Sequence, residues 1–282
     1  DILTDGEVRR ENYIHYHCRY LEGIDFEKLT EKVARTGNYK CWLPTITGKV
    51  KATEPFLVDE WDSNQKLTSK PLKITIPGPM TIADTIANTY YKSDEKMGED
   101  LADAINVEIK RLVNVGCKYI QVDEPLFARK PENALNFGIK NLERCFKDIV
   151  DDSVEKITHI CCGYPDKLDA IDYPKAPLNS YSKISKELDN SILDTVSIED
   201  AHRYNNLQFL KDFKNTKIIF GLIKIASSEI ETKEEIITRI KDALEFIDKE
   251  QLIVAPDCGL GHLPRDLAKT KLKIMANAAK NF

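Results

Sequence analysis

The sequence predicts an α/β fold, a single (β/α)8 TIM barrel over residues 1–282, and three observations predict it. Short β-branched runs alternate with longer amphipathic patterns to the end of the chain, the signature of parallel strands joined by crossover helices. Eight such runs occur, and eight repeats favour a closed barrel over an open doubly wound sheet. No GxGxxG follows a strand and no GxxxxGK precedes a Ser or Thr, so the usual nucleotide-binding signatures of open sheets are missing. Barrels of about 250 residues are commonly one domain, which this length permits.

The expected strands are residues 2–4, 42–46, 72–76, 119–122, 156–160, 195–198, 217–222 and 252–255. Between them, residues 95–115 set Met97, Leu101, Ile105, Ile109 and Leu112 on one helical stripe. Residues 233–249 do the same with Ile236, Ile240, Leu244 and Ile247. The second strand has another reading. Residues 42–47 followed by Gly48-Lys49-Val50 also fit a β-hairpin on the barrel rim, which puts the first strand upstream of Asp1. The absence of an initiator Met agrees with residues upstream. After Cys162, Gly163, Pro165, Pro174 and Pro177 mark a long, stiff, exposed loop, and loops on the C-terminal face of a barrel build its site.

Composition narrows the partners. The net charge is -5 with no basic stripe, which argues against nucleic acid and anionic membrane. No apolar run approaches the ~20 residues that cross a bilayer, and residues 1–6 lack the basic and apolar regions of a signal peptide. Seven cysteines, an odd number without a small-domain framework, favour a reducing cytoplasm and free or metal-bound thiols.

Chemistry gathers at strand ends. In extended chain, residues two apart face the same side, so His159 and Cys161 can grip one ion. The next strand ends at Glu199 and the last at Pro256-Asp257-Cys258-Gly259. A barrel brings these ends to one rim, joining an imidazole, two thiolates and a carboxylate, a set that suits zinc. Alone, each His or Cys reads more simply as a packed core residue. Cys18, Cys41, Cys117, Cys145 and Cys162 are read that way. In Glu199-Asp200-Ala201-His202 either Glu199 or His202 could face the metal. Asp123 and Glu7, at two other strand ends, could hold a substrate ammonium. Surface ion pairs of Glu7 or Glu124 with Arg9, Arg10 or Arg129 are the plainer alternative.

These motifs recur together in one family. The chain resembles the C-terminal catalytic barrel of cobalamin-independent methionine synthase, in the methionine synthase–uroporphyrinogen decarboxylase superfamily. The resemblance runs through Asp5-Gly6-Glu7, Pro77-Gly78-Pro79-Met80-Thr81, Gln121-Val122-Asp123-Glu124-Pro125, Thr158-His159-Ile160-Cys161, Ser197-Ile198-Glu199 and Pro256-Asp257-Cys258-Gly259-Leu260. It implies one catalytic barrel over residues 1–282, with zinc on His159, Cys161, Glu199 and Cys258. It further implies homocysteine held through its amino group by Glu7 and Asp123, with Glu199 and Asp123 as the catalytic carboxylates. A zinc-bound thiol is deprotonated outright and attacks the methyl group of a donor.

The chain departs from the pattern on the donor side. Ala226 stands where folate-dependent members carry a His, Gly261-His262-Leu263-Pro264-Arg265 replaces Lys-Thr-Arg, and the loop between Cys161 and Glu199 is longer. The expected donor is therefore methyl-folate, methylcobalamin or a methylated corrinoid protein, or a small methylated compound. Two other readings stand beside this one: zinc-dependent thiol addition or C–S cleavage of the epoxyalkane:coenzyme M type, and a binding barrel with structural zinc.

Overall fold

The computed structural model describes residues 2–34, 39–170 and 173–282, leaving Asp1 outside. The chain forms two compact units, Asp1–Glu124 with Asn136–Lys156, and Pro125–Leu135 with Ile157–Phe282.

In the first unit, β1 (Leu21–Ala34) and β2 (Tyr39–Ala52) pair antiparallel, and β4 (Ala87–Asn88) adds to β2 in parallel. Residues 42–46 are thus not a parallel barrel strand but part of a long hairpin. Its other arm precedes them, where the hairpin reading had placed it after Gly48. Burial varies along the arm: Trp42 is 63% exposed, whereas Thr45, Ile46 and Val50 are buried. At Gly23 the φ of +88° and a Lys49 carbonyl only 2.6 Å from any added Cβ demand glycine, and the register slips there.

Two parallel strands follow, β3 (Lys73–Pro77) and β5 (Tyr119–Asp123), paired from Lys73↔Tyr119 to Pro77↔Asp123. The expected strand at 2–4 shrinks to one parallel bridge, Leu3↔Leu72. It ends at once because Gly6 and Glu7 both turn to positive φ, +73° and +56°. The helix Asp94–Asn114 buries Met97, Leu101, Ile105, Ile109 and Leu112, the stripe read from the sequence, and Ser93 caps its start by accepting from Lys96 N.

In the second unit, β6 (Glu155–Ile160, entering from the first unit), β7 (Thr195–Ile198), β8 (Lys217–Gly221) and β9 (Leu252–Ala255) pair in parallel in that order. Every residue of β7 is buried, which is why it reads as an unbroken short run rather than an alternating one. The helix Lys233–Leu244 begins with a capping box between Thr232 and Glu235 and buries Ile236 and Ile240. It stops before the expected residue 249, although Ile247 beyond it remains buried. Among the described residues no helix is long and apolar enough to cross a membrane.

Candidate metal centre

The second unit carries the His–Cys cluster. His159 and Cys161 leave the end of β6 on the same side, 7% and 5% exposed. With Cys258, just past β9, their ligand atoms all lie within 4.8 Å of one another. His159 Nδ1 is hydrogen-bonded to Ser197 Oγ at 2.9 Å, directly across the β6–β7 pair. With Nδ1 as the donor, Nε2 carries the lone pair a metal needs. The two thiols titrate as a pair. A hydrogen bond from Cys161 holds Cys258 well below the usual thiol range against its burial, helped by His159, while Cys161 is pushed up.

Glu199 sits immediately beside that group rather than within it. Its Oε2 accepts from Cys162 N at 2.9 Å and lies 3.6 Å from Cys161 Sγ. Its Oε1 is buried with no hydrogen-bond partner among the described residues. Burial raises the Glu199 pKa, and the Cys162 N–H with the charges of Lys175 and Arg203 pulls it back. An orphaned carboxylate oxygen beside two thiols and an imidazole fits a thiophilic divalent cation such as zinc.

His202 faces elsewhere. Its Nε2 lies 2.9 Å from Ile225 N and 3.4 Å from Ala226 N, both of which donate to it. Accepting two N–H groups requires the neutral ring, and burial with Lys175, Lys224 and Lys271 around it lowers its pKa to about 4. The unfolded chain therefore binds a proton that the folded chain refuses between pH 6.5 and about 4. This contribution to stability is complete above pH 6.5 and is lost as pH falls through that window; solvent screening of the partly exposed ring keeps it to on the order of 1–2 kcal/mol. Thermal melts across the window are expected to show this slope in the wild type and a flatter one in His202→Gln.

Residues that sequence reasoning assigned no role hold Glu199 in place. Asp257, fully buried, accepts from Asp200 N, Ala201 N and His202 N at 2.9, 2.9 and 2.8 Å. Glycine at 221 makes room for it, since a Cβ there would stand 2.1 Å from Asp257 Oδ1. Glu199 N donates to Tyr181 Oη at 3.0 Å, and Asn205 Nδ2 donates to Glu199 O at 2.8 Å. Arg239 locks the fully buried Asp200 at 2.6 Å. The one sequence signal was Asp257 itself, a carboxylate beside Cys258 at a strand end.

The acidic residues lie in the first unit. Glu7, in left-handed backbone, accepts from Thr75 Oγ1 at 2.5 Å and pairs with Arg10 at 3.2 Å, so the ion-pair alternative is present for it. Arg10 also pairs with Glu60 at 2.9 Å. Asp123 accepts from Tyr13 Oη at 2.7 Å and from Gln121 Nε2 at 2.6 Å. Glu124 is fully buried and accepts from Met80 N, Thr81 N and Thr81 Oγ1, capping the helix Pro79–Thr85. Burial pushes its pKa up to about 8 against those three bonds. Gly78 allows this approach, because a Cβ would lie 2.3 Å from the Glu124 carboxyl, which gives the Pro77–Thr81 motif a structural explanation.

Comparison with known proteins fits this geometry. The family described as "Cobalamin-independent synthase, Catalytic domain" matches residues 1–281. A methionine synthase of Sulfurisphaera tokodaii is 34% identical over 99% of this chain and 76% of its own length. One from Sulfolobus acidocaldarius is 32% identical over 96% of this chain and 74% of its own. The B12-independent methionine synthase of Shewanella sp. W3-18-1, solved with selenomethionine, superposes with a TM-score of 0.89 at 30% identity, covering 100% of this chain and 82% of that one. Fold and site together define an α/β-barrel enzyme of the methyltransferase class. More particularly, the chain belongs to the cobalamin-independent methionine synthase family, through its catalytic domain.

Proposed function

We propose that this chain is a zinc-dependent S-methyltransferase that methylates homocysteine to methionine, acting in the cytoplasm as one catalytic barrel over residues 1–282. The observation that carries the reading is the convergence of His159, Cys161 and Cys258 within 4.8 Å, with the orphaned Glu199 Oε1 beside them. His159, Cys161, Glu199 and Cys258 would hold the metal. When bound, zinc supplies the acidity that keeps a substrate thiol deprotonated at neutral pH.

The residues of the chain do the rest. Glu199, a carboxylate among softer ligands, is the one suited to yield its place to an arriving sulfur. The hydrogen bond of Ser197 orients His159, and Asp257 and Asn205 keep the Glu199 loop from drifting. On the family resemblance, Glu7 and Asp123 receive the substrate ammonium, and Arg10 and Tyr13 set the direction of those carboxylates. The donor is a methyl-folate, a methylated corrinoid or a small methylated sulfur or nitrogen compound.

The test is metal content of the purified protein, then X-ray absorption at the zinc edge with and without homocysteine, followed by assays with each donor class. One zinc per chain that gains a sulfur neighbour with homocysteine is the expected result. An unchanged shell would favour structural zinc or another thiol substrate, and absence of zinc would overturn the reading.

A further inference from the structure

Each cysteine of the cluster is followed by a loop, and side chains of the two loops bond across to one another. The loop behind Cys161 supplies Tyr164, whose Oη donates at 3.2 Å to the carbonyl of Gly259, the residue after Cys258. The loop behind Cys258 supplies His262, whose Nε2 lies 2.9 Å from the carbonyl oxygen of Pro165, the residue after Tyr164. A carbonyl oxygen can only accept, so Nε2 carries a proton and donates it. The two rings also meet, with centroids 5.0 Å apart and planes tilted by 36°. His262 falls in residues 261–265, where the chain departs from the family pattern.

These cross-bonds join segments that need them. Gly259 and Gly261 widen the backbone choices of the chain after Cys258, and a Cβ on Gly259 would meet nothing within 4 Å. On the other side, Gly163 N donates to Cys161 Sγ at 3.4 Å. Tyr164 is the next residue, so holding its side chain also keeps that N–H against the sulfur. We propose that Tyr164 and His262 are positioning residues for the metal centre, a clasp that ties the loop behind Cys161 to the loop behind Cys258 and keeps the two thiols at a separation one ion can bridge. The inference rests on the zinc reading above. A pair of thiols held ready loses less freedom on binding a cation, so the ion is bound more tightly and released more slowly. Both side chains are partly exposed, so the clasp can be removed without disturbing the core.

The test is the double variant Tyr164→Phe with His262→Ala, which removes both cross-bonds and leaves the four candidate ligands in place. Two readouts are needed: zinc affinity and release rate, measured by competition with a chromophoric chelator, and the melting temperature of the metal-free protein. The double variant is expected to bind zinc about tenfold more weakly and to release it faster. Its metal-free melt should stay close to wild type. Zinc held equally well by wild type and variant would overturn the inference alone. So would a metal-free melt that falls along with zinc affinity, the mark of a general loosening of the unit. A wild-type chain that binds no zinc overturns the zinc reading and the clasp with it, so the two failures are told apart.

Discussion

Cys258→Ser is expected to lose stoichiometric zinc and, with it, thiol alkylation, by on the order of a thousandfold or more. The Sγ atom of Cys258 closes the three-atom cluster with His159 and Cys161, all within 4.8 Å. A serine oxygen is harder, holds its proton at neutral pH and reaches less far, so it cannot stand in for a thiolate. The fold should survive, because Cys258 lies beyond the last residue of β9 and the substitution changes one side-chain atom. Circular dichroism and a melt of the metal-free protein close to wild type, together with metal analysis, check both halves of the expectation. Full zinc occupancy in the variant would remove Cys258 from the ligand set.

Asp257→Ala is expected to produce the largest loss of stability. Its carboxylate accepts three backbone N–H groups in a fully buried setting, and alanine strands all three. Hydrogen bonds to a charged group contribute ~1.5–3 kcal/mol each, and partial relaxation brings the sum to roughly 4 kcal/mol. For a chain of this size the melting temperature should fall by roughly 10 °C. Burial and the nearby Glu199 push the Asp257 pKa up, and the three N–H groups pull it back. Asp257→Asn should therefore fare better, since one amide oxygen still accepts from Asp200 N and Ala201 N as Oδ1 does now. Zinc affinity should fall with stability in the alanine variant, because the segment after Glu199 loses its anchor. A melt unchanged from wild type would show that water or rearrangement satisfies those amides.

The parallel strands were the most legible part of the fold. The runs at 72–76, 119–122, 156–160, 195–198, 217–222 and 252–255 fall within a residue or so of β3 and β5 to β9, since short β-branched runs between helical patterns leave little else to read. The run at 42–46 looked the same locally and was not the same. A window of sequence carries strand propensity but not the sense of the partner strand, and here the partner is the preceding segment 21–34.

The site divides in a similar way. His159, Cys161 and Cys258 were readable because a period of two and a strand end fix where such side chains point. Asp257, Tyr181 and Asn205 were not, because their roles lie in hydrogen bonds to backbone groups of the segment from Glu199 to His202, which a sequence pattern does not reveal. For Glu7, the Arg10 partner was among the named possibilities. The sequence could not rank it above the others, since the choice depends on Glu60 and Thr75 approaching from other elements.

The spacing of the cluster also bears on the order in which the molecule can assemble. His159 and Cys161 are neighbours on one strand, but Glu199 and Cys258 arrive from the ends of two others, β7 and β9. A metal ion meeting the extended chain would find only the first two within reach of each other. The full set exists only after β6, β7, β8 and β9 have paired in parallel, the kind of long-range registration that is slow to form. Metal capture at the proposed site would therefore belong late in folding, as a reporter that the sheet of the second unit is already complete.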